Sequence, residues 1–173
     1  MTAIFNASIN SGIFPYDFKC AIISPIHKSE SKSICDNYRP ISVLSCVAKI
    51  FQKLITTQIE AYLESNGLLI DQQSGFKKKC STQTSLLQVT NHWLLNMDGE
   101  NLNGVVLVDL KKAFNCVDHD IFVRNLYYYG IRGRELNWFQ SYLSNRIHYC
   151  KVDQAISNER ILKCGIAQGS NLG

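Results

Sequence analysis

Asp109 is the residue around which chemistry could be built. It closes an unbroken apolar run, Val105-Val106-Leu107-Val108, within the stretch V-V-L-V-D-L-K-K-A-F-N-C-V-D-H. Such a run predicts a buried central strand over 104–109. A carboxylate at the tip of a rigid strand beside a cleft suits a metal ion. Phe114 follows in a turn that leads to a helix; taken by itself, an aromatic there is more often core than site. Asp118 and His119 could form an acid–base pair, but Asp118 reads better as a helix cap with His119 in the first turn. Asp109 as a phosphotransferase nucleophile rests only on D-x-x-x-A-F and is the weaker reading.

Basic groups supply the second half of a phosphate-handling chemistry. Pro40 biases Arg39 toward an extended backbone, so its guanidinium projects from a stiff segment suited to bidentate phosphate contact or, more plainly, a surface ion pair. Lys77, Lys78 and Lys79 form a run beside Gly75, and Arg132 and Arg134 form another. Isolated runs of this kind are more often solvated surface.

Several elements must position these groups. The pattern predicts a short helix over 2–12 and a strand over 18–28, with Pro25 at an edge or bend. A polar loop over 29–37 precedes a long helix, 43–65, capped by Ser42 or Ser45. Its apolar stripe is Val43, Val47, Ile50 and Leu54, widened by Leu44, Phe51, Ile55, Ile59 and Tyr62. Asn66-Gly67 closes it. Ser81 caps a helix over 82–97 with Leu86, Leu87, Trp93, Leu94 and Met97 on its apolar side. The strand over 104–109 comes next, then helices over 119–129 and about 134–144. A hairpin of strands over 146–153 and 160–167 follows.

Bulk properties bound the class. With 173 residues, 46% of them hydrophobic, the chain is one ordinary domain or a piece of a larger one. Eighteen Lys and Arg against 14 Asp and Glu leave a net charge of +4, which permits a nucleic-acid partner without demanding one. The seven Cys show no C-x-x-C and no zinc spacing. They read as reduced thiols acting as small apolar fillers, as in an intracellular protein. No apolar run reaches the ~18 residues of a membrane span. The N-terminus lacks a secretory signal, so nucleus or cytoplasm is expected. The glycine-rich end, Gln168 to Gly173, reads as a truncation.

Read together, an ordered series of segments resembles the reverse transcriptase of non-LTR retrotransposons of the jockey-like type. The series runs G-I-F-P-Y-D-F-K-C-A-I-I-S-P-I-H-K, N-Y-R-P-I-S-V-L-S-C-V-A-K-I-F-Q-K-L-I, Q-S-G-F-K-K-K-C-S-T-Q-T-S-L-L, V-V-L-V-D-L-K-K-A-F-N-C-V-D-H, Y-G-I-R-G, W-F-Q-S-Y-L-S-N-R and G-I-A-Q-G-S-N-L-G. It spans nearly the whole chain, and many segments in one order are far more specific than any lone motif.

The resemblance implies an RNA-directed DNA polymerase that uses an RNA template, a DNA primer and deoxynucleoside triphosphates, with Mg²⁺ or Mn²⁺. It implies an α+β fold, a partial right hand with fingers and an incomplete palm and no thumb. Residues 1–100 would form the fingers with a lead-in, and 101–173 part of the palm. Asp109 looks like the first catalytic aspartate and metal ligand, with the Leu110 carbonyl a second ligand. Phe114 looks like the aromatic under the incoming sugar. Lys28 and Arg39 look like the triphosphate contacts. Gln168 and Gly169 match the Q-G beside the template base and nucleotide, and Gln73, Gly75, Phe76 and Lys77 the segment near the template strand.

The chain departs from the family pattern in four respects. Asn115 stands where the family has aspartate, Lys77 where Arg is common, and Ala167 where proline is usual. The Tyr-x-Asp-Asp hairpin, which supplies the other carboxylates, is expected beyond Gly173. These departures imply a drifted copy, inactive as this fragment. The alternative is a non-catalytic nucleic-acid-binding remnant.

Overall fold

The computed structural model describes residues 1–77, 79–110 and 112–172. Among them the fold is mixed α+β, with five α-helices and a five-stranded mixed sheet. The chain divides into two compact units: 1–60 with 111–173, and 61–110. This division follows packing and is independent of a fingers–palm boundary near residue 100.

The first unit holds the sheet and the core. Helix α1 (Thr2–Ser11) stops at Gly12, and the strands β1 (Cys20–His27) and β2 (Tyr38–Val43) follow. β1 pairs antiparallel with β2 over Ile22–His27 and parallel with β3 (Arg146–Val152) over Cys20–Ile23. Pro25 therefore lies past the end of the β3 pairing, where no ladder bond is lost, as expected of an edge proline. β3 turns back through β4 (Ala155–Ile156) and β5 (Arg160–Leu162), a hairpin whose return strand is shorter than the predicted 160–167.

Helix α2 (Cys46–Ser65) starts three residues later than predicted, because 38–43 is spent on β2; Ser45 Oγ caps it, accepting from the Ala48 N–H at 3.2 Å. Its buried face is Ala48, Phe51, Gln52 and Ile55; the predicted face holds at Phe51 and Ile55, with Val47 and Ile59 packed beside them, whereas Val43, Ile50 and Leu54 are exposed. Helices α4 (His119–Tyr128) and α5 (Gly133–Leu143) complete the unit. Phe5, Phe14, Phe51, Ile55, Trp138, Phe139, Tyr142 and Leu143 form one core. Phe5 stacks on Phe51 with ring centroids 4.3 Å apart, and the Trp138 indole N–H donates to Ser8 Oγ at 3.0 Å. Each such buried aromatic stabilises by about 1.5–3 kcal/mol, with a little more from ring geometry.

The second unit holds the end of α2, the helix α3 (Thr82–Asp98) and the segment 99–110. Asn66 and Gly67 close α2 as predicted, Gly67 in the left-handed region at φ 63°. Ser81 and Thr84 form a reciprocal capping box at the start of α3, but none of the residues of α3 is buried. The predicted strand over 104–109 does not form. Among the described residues, 101–110 is irregular backbone, and Val105 to Val108 are exposed, Leu107 at 92%. An apolar run becomes a central strand only where partner strands satisfy its N–H and C=O groups on both sides.

Candidate active site

Three of the motifs converge in the first unit, tied by backbone hydrogen bonds. The turn Ala113–Asn115 carries Phe114, half-buried, whose carbonyl accepts from the Ile166 N–H at 2.8 Å. The Gly165 N–H donates to the Val117 carbonyl at 2.7 Å, and the His119 Nε2–H donates to the Gly165 carbonyl at 2.7 Å. Gly165 is required here: its φ is +78°, and a Cβ would lie 2.7 Å from the Asn115 carbonyl oxygen. His119 is thus more than a first-turn residue. Asp118 does cap α4, its carboxylate accepting from the Asp120 and Ile121 N–H groups at 2.9 and 3.0 Å.

The loop then crosses to the edge strand. The Gln168 carbonyl accepts from the Ser42 N–H on β2 at 2.7 Å, and Gly169 lies against Ile41 and Ser42. Asn171 is fastened to α2 by bonds from its N–H to Gln52 Oε1 at 3.1 Å and from its Nδ2 to the Lys49 carbonyl at 2.7 Å. Arg39 is exposed on β2, two residues before Ile41, and Lys28 is exposed just past β1, its N–H donating to the Asn37 carbonyl. Lys112 pairs with Asp36 at 2.9 Å, an exposed pair worth at most about 1 kcal/mol.

The remaining motif residues belong to the second unit. Gln73 and Gly75 are exposed, with Gln73 Nε2 donating to the Gly75 carbonyl at 3.3 Å; Phe76 is 87% exposed at φ 59°, and Lys77 is half-buried. Lys78 lies outside the described residues. Gly75, Phe76 and the segment Val105–Leu107 line one open groove together with Leu86, Val89 and Trp93 of α3, so this unit brings together the Q-S-G-F-K and V-V-L-V-D stretches. Asp109 and Leu110 are exposed in irregular backbone, which corrects the picture of a carboxylate on a buried strand. No group of three or more His, Cys, Asp or Glu side chains that could hold a metal ion occurs among the described residues. The donor set present therefore does not fit a two-metal centre.

Two further expectations change. Six cysteines are exposed and Cys150 is half-buried, so they are not core fillers; all seven are free thiols. Arg132 lies over the Tyr127 ring at 4.8 Å rather than in a free basic run. The patterns hid Arg146, which is 3% exposed at the head of β3. Its signal was a charge on the inward-alternating positions of R-I-H-Y-C. Two residues on, burial and then the Arg160 charge hold the His148 imidazole below its ordinary range.

Residues 26–173 match the family described as reverse transcriptase (RNA-dependent DNA polymerase). The chain belongs to the reverse transcriptase family. It is 32% identical over 180 residues to "Probable RNA-directed DNA polymerase from transposon BS" and 31% identical to the corresponding protein from transposon X-element, both of Drosophila melanogaster. It is 28% identical to the RNA-directed DNA polymerase from mobile element jockey of the same organism. Each alignment covers 100% of this chain and 19% of the relative. The reverse transcriptase chain thus spans about a fifth of the length of these curated relatives. No helix among its described residues is long and apolar enough to cross a membrane.

Proposed function

We propose that the chain forms part of the RNA-directed DNA polymerase of a jockey-like non-LTR retrotransposon, with residues 1–100 serving as fingers and 101–173 as part of the palm of a right-hand polymerase. Its substrates in that role are an RNA template, a DNA primer and deoxynucleoside triphosphates. The observation that carries the reading is the hydrogen-bonded junction of three motifs: Phe114 to Ile166, and Gln168 to Ser42 on the strand that bears Arg39. Phe114 would lie under the incoming sugar, Gln168 and Gly169 beside the template base, and Lys28 and Arg39 at the triphosphate. Gln73, Gly75, Phe76 and Lys77 would track the template strand.

Mg²⁺ or Mn²⁺ would supply the charge neutralisation of nucleotidyl transfer in the family. Asp109 and the Leu110 carbonyl are the ligands this chain would contribute. Because the described residues complete no metal centre, the 173-residue polypeptide is expected to bind nucleic acid without extending a primer. Fluorescence anisotropy with a labelled RNA–DNA hybrid tests the binding. Affinity should fall steeply with salt, and it should weaken when Lys77, Lys78 and Lys79 are changed to Glu. Salt-independent affinity, or affinity untouched by those changes, would defeat the binding reading; Mg²⁺-dependent extension would defeat the prediction of inactivity.

A further inference from the structure

Gln52 stands where the pattern of α2 asks for an apolar side chain. It is fully buried, on the same face as Ala48, Phe51 and Ile55. Its amide is only half satisfied: Oε1 accepts from the Asn171 N–H at 3.1 Å, while Nε2 is buried with no hydrogen-bond partner. A buried donor left unpaired costs stability that an apolar side chain of similar size would not. Core packing alone therefore does not account for a glutamine at this position. Its bonded oxygen serves the loop that carries Gln168 and Gly169.

That loop is a turn held at both ends. The Ser170 N–H donates to the Ala167 carbonyl at 3.0 Å, which makes Gln168 and Gly169 the two central residues of a β-turn, with Gly169 at φ 101°. On one side the Gln168 carbonyl accepts from the Ser42 N–H of β2 at 2.7 Å. On the other, α2 grips Asn171 through three groups. Gln52 takes its N–H, the Thr56 hydroxyl donates to its carbonyl at 2.9 Å, and its Nδ2 donates to the Lys49 carbonyl at 2.7 Å. Positions 49, 52 and 56 are three and four apart, so they share one face of the helix. The Thr56 hydroxyl also reaches the Gln52 carbonyl at 2.9 Å, so its single proton is shared. Gln52 is the buried and undivided member of the clasp.

We propose that Gln52 is a positioning residue for the Gln168–Gly169 turn. By holding the Asn171 N–H it fixes the far end of the turn to the core, with Thr56 in support. A turn anchored only at Ser42 could swing about Gly169, whose backbone is the least restrained. The second anchor removes that freedom, so Gln168 is already ordered before a ligand arrives and less order has to be gained on binding. The clasp stands on geometry alone; what Gln168 touches rests on the polymerase reading, and the test separates the two.

Amide exchange and side-chain NMR spectra of the 173-residue chain are compared with those of Gln52→Leu, an apolar side chain of similar volume. In the variant the Ser170 and Asn171 amides should exchange at least about tenfold faster, while those of α5 from Trp138 to Leu143 change by less than about threefold. Unchanged rates at Ser170 and Asn171, or an equal rise in α5, overturn the role. Should Gln52→Leu fail to fold, Thr56→Val, at a half-buried position, replaces it. The two amides should then exchange at least about threefold faster, and unchanged rates overturn the clasp. A saturating RNA–DNA hybrid should shift the Gln168 side-chain amide signals in the wild type, and that shift should be lost in the variant used. A full shift retained in the variant overturns the positioning role. No shift in the wild type defeats the reading of Gln168 as a template contact, and the exchange rates still decide whether Gln52 holds the turn.

Discussion

The two units use similar residues to opposite ends. In the first, Phe51, Trp138 and Tyr142 are buried and packed ring against ring. In the second, Leu86, Leu87, Leu94, Leu95 and Met97 of α3 and the run Val105–Val108 are all exposed. Both contain apolar faces at helical or strand spacing. What differs is the second layer: α1, α2 and α5 close on one another, whereas α3 has no buried residue at all. Amphipathic pattern specifies which face wants burial, but tertiary partners decide whether it is buried.

That contrast can be broken by mutation. The largest effect is expected from Trp138→Ala, which removes a stacked, hydrogen-bonded core ring and should cost about 3–5 kcal/mol in urea unfolding. Leu94→Ala, on the exposed side of α3, should change stability by no more than ~0.5 kcal/mol. Comparable losses from the two would erase the distinction.

Glycines sharpen it next. Gly165→Ala places a methyl against the Asn115 backbone in a left-handed position and should cost roughly 1–3 kcal/mol, loosening the junction of Phe114 with Ile166. Gly75→Ala, with nothing within 4 Å of the added carbon, should be close to neutral. Thermal melts of both variants check the pair. Ser81→Ala removes the capping box and should lower α3 helicity by circular dichroism, at a cost of about 1 kcal/mol to that helix.

The smallest effect is on pH. Because the folded His148 pKa is depressed, its neutral form favours folding above the ordinary value of about 6.5. That contribution is lost as pH falls from there toward the folded pKa. Unfolding curves between pH 7.5 and 5 should show a shallow decline that His148→Gln removes.

Much of this was legible in the sequence. Helices α1, α3, α4 and α5, the Asp118 and Ser81 caps and strands β1 and β3 follow from periodicity and cap chemistry within a few residues. The family is legible in the order of its motifs. The failures share a cause. The strand expected at 104–109, the α2 stripe on Val43, Ile50 and Leu54, and the buried cysteines were each read from composition without knowing what lies opposite. The bond of His119 to Gly165 and the burial of Arg146 over Tyr142 are not legible in the sequence, because long-range contacts leave little local trace.

Native-state hydrogen exchange, resolved by residue, tests the contrast between the units most directly. Amides of α2 from Ala48 to Ile55 and of α5 from Trp138 to Leu143 should exchange at least roughly a thousandfold more slowly than those of Val105 to Val108, which should approach free-peptide rates. Protection of Val105 to Val108 equal to that of β1 would mean that the strand carrying Asp109 is formed and paired, contradicting the division drawn here.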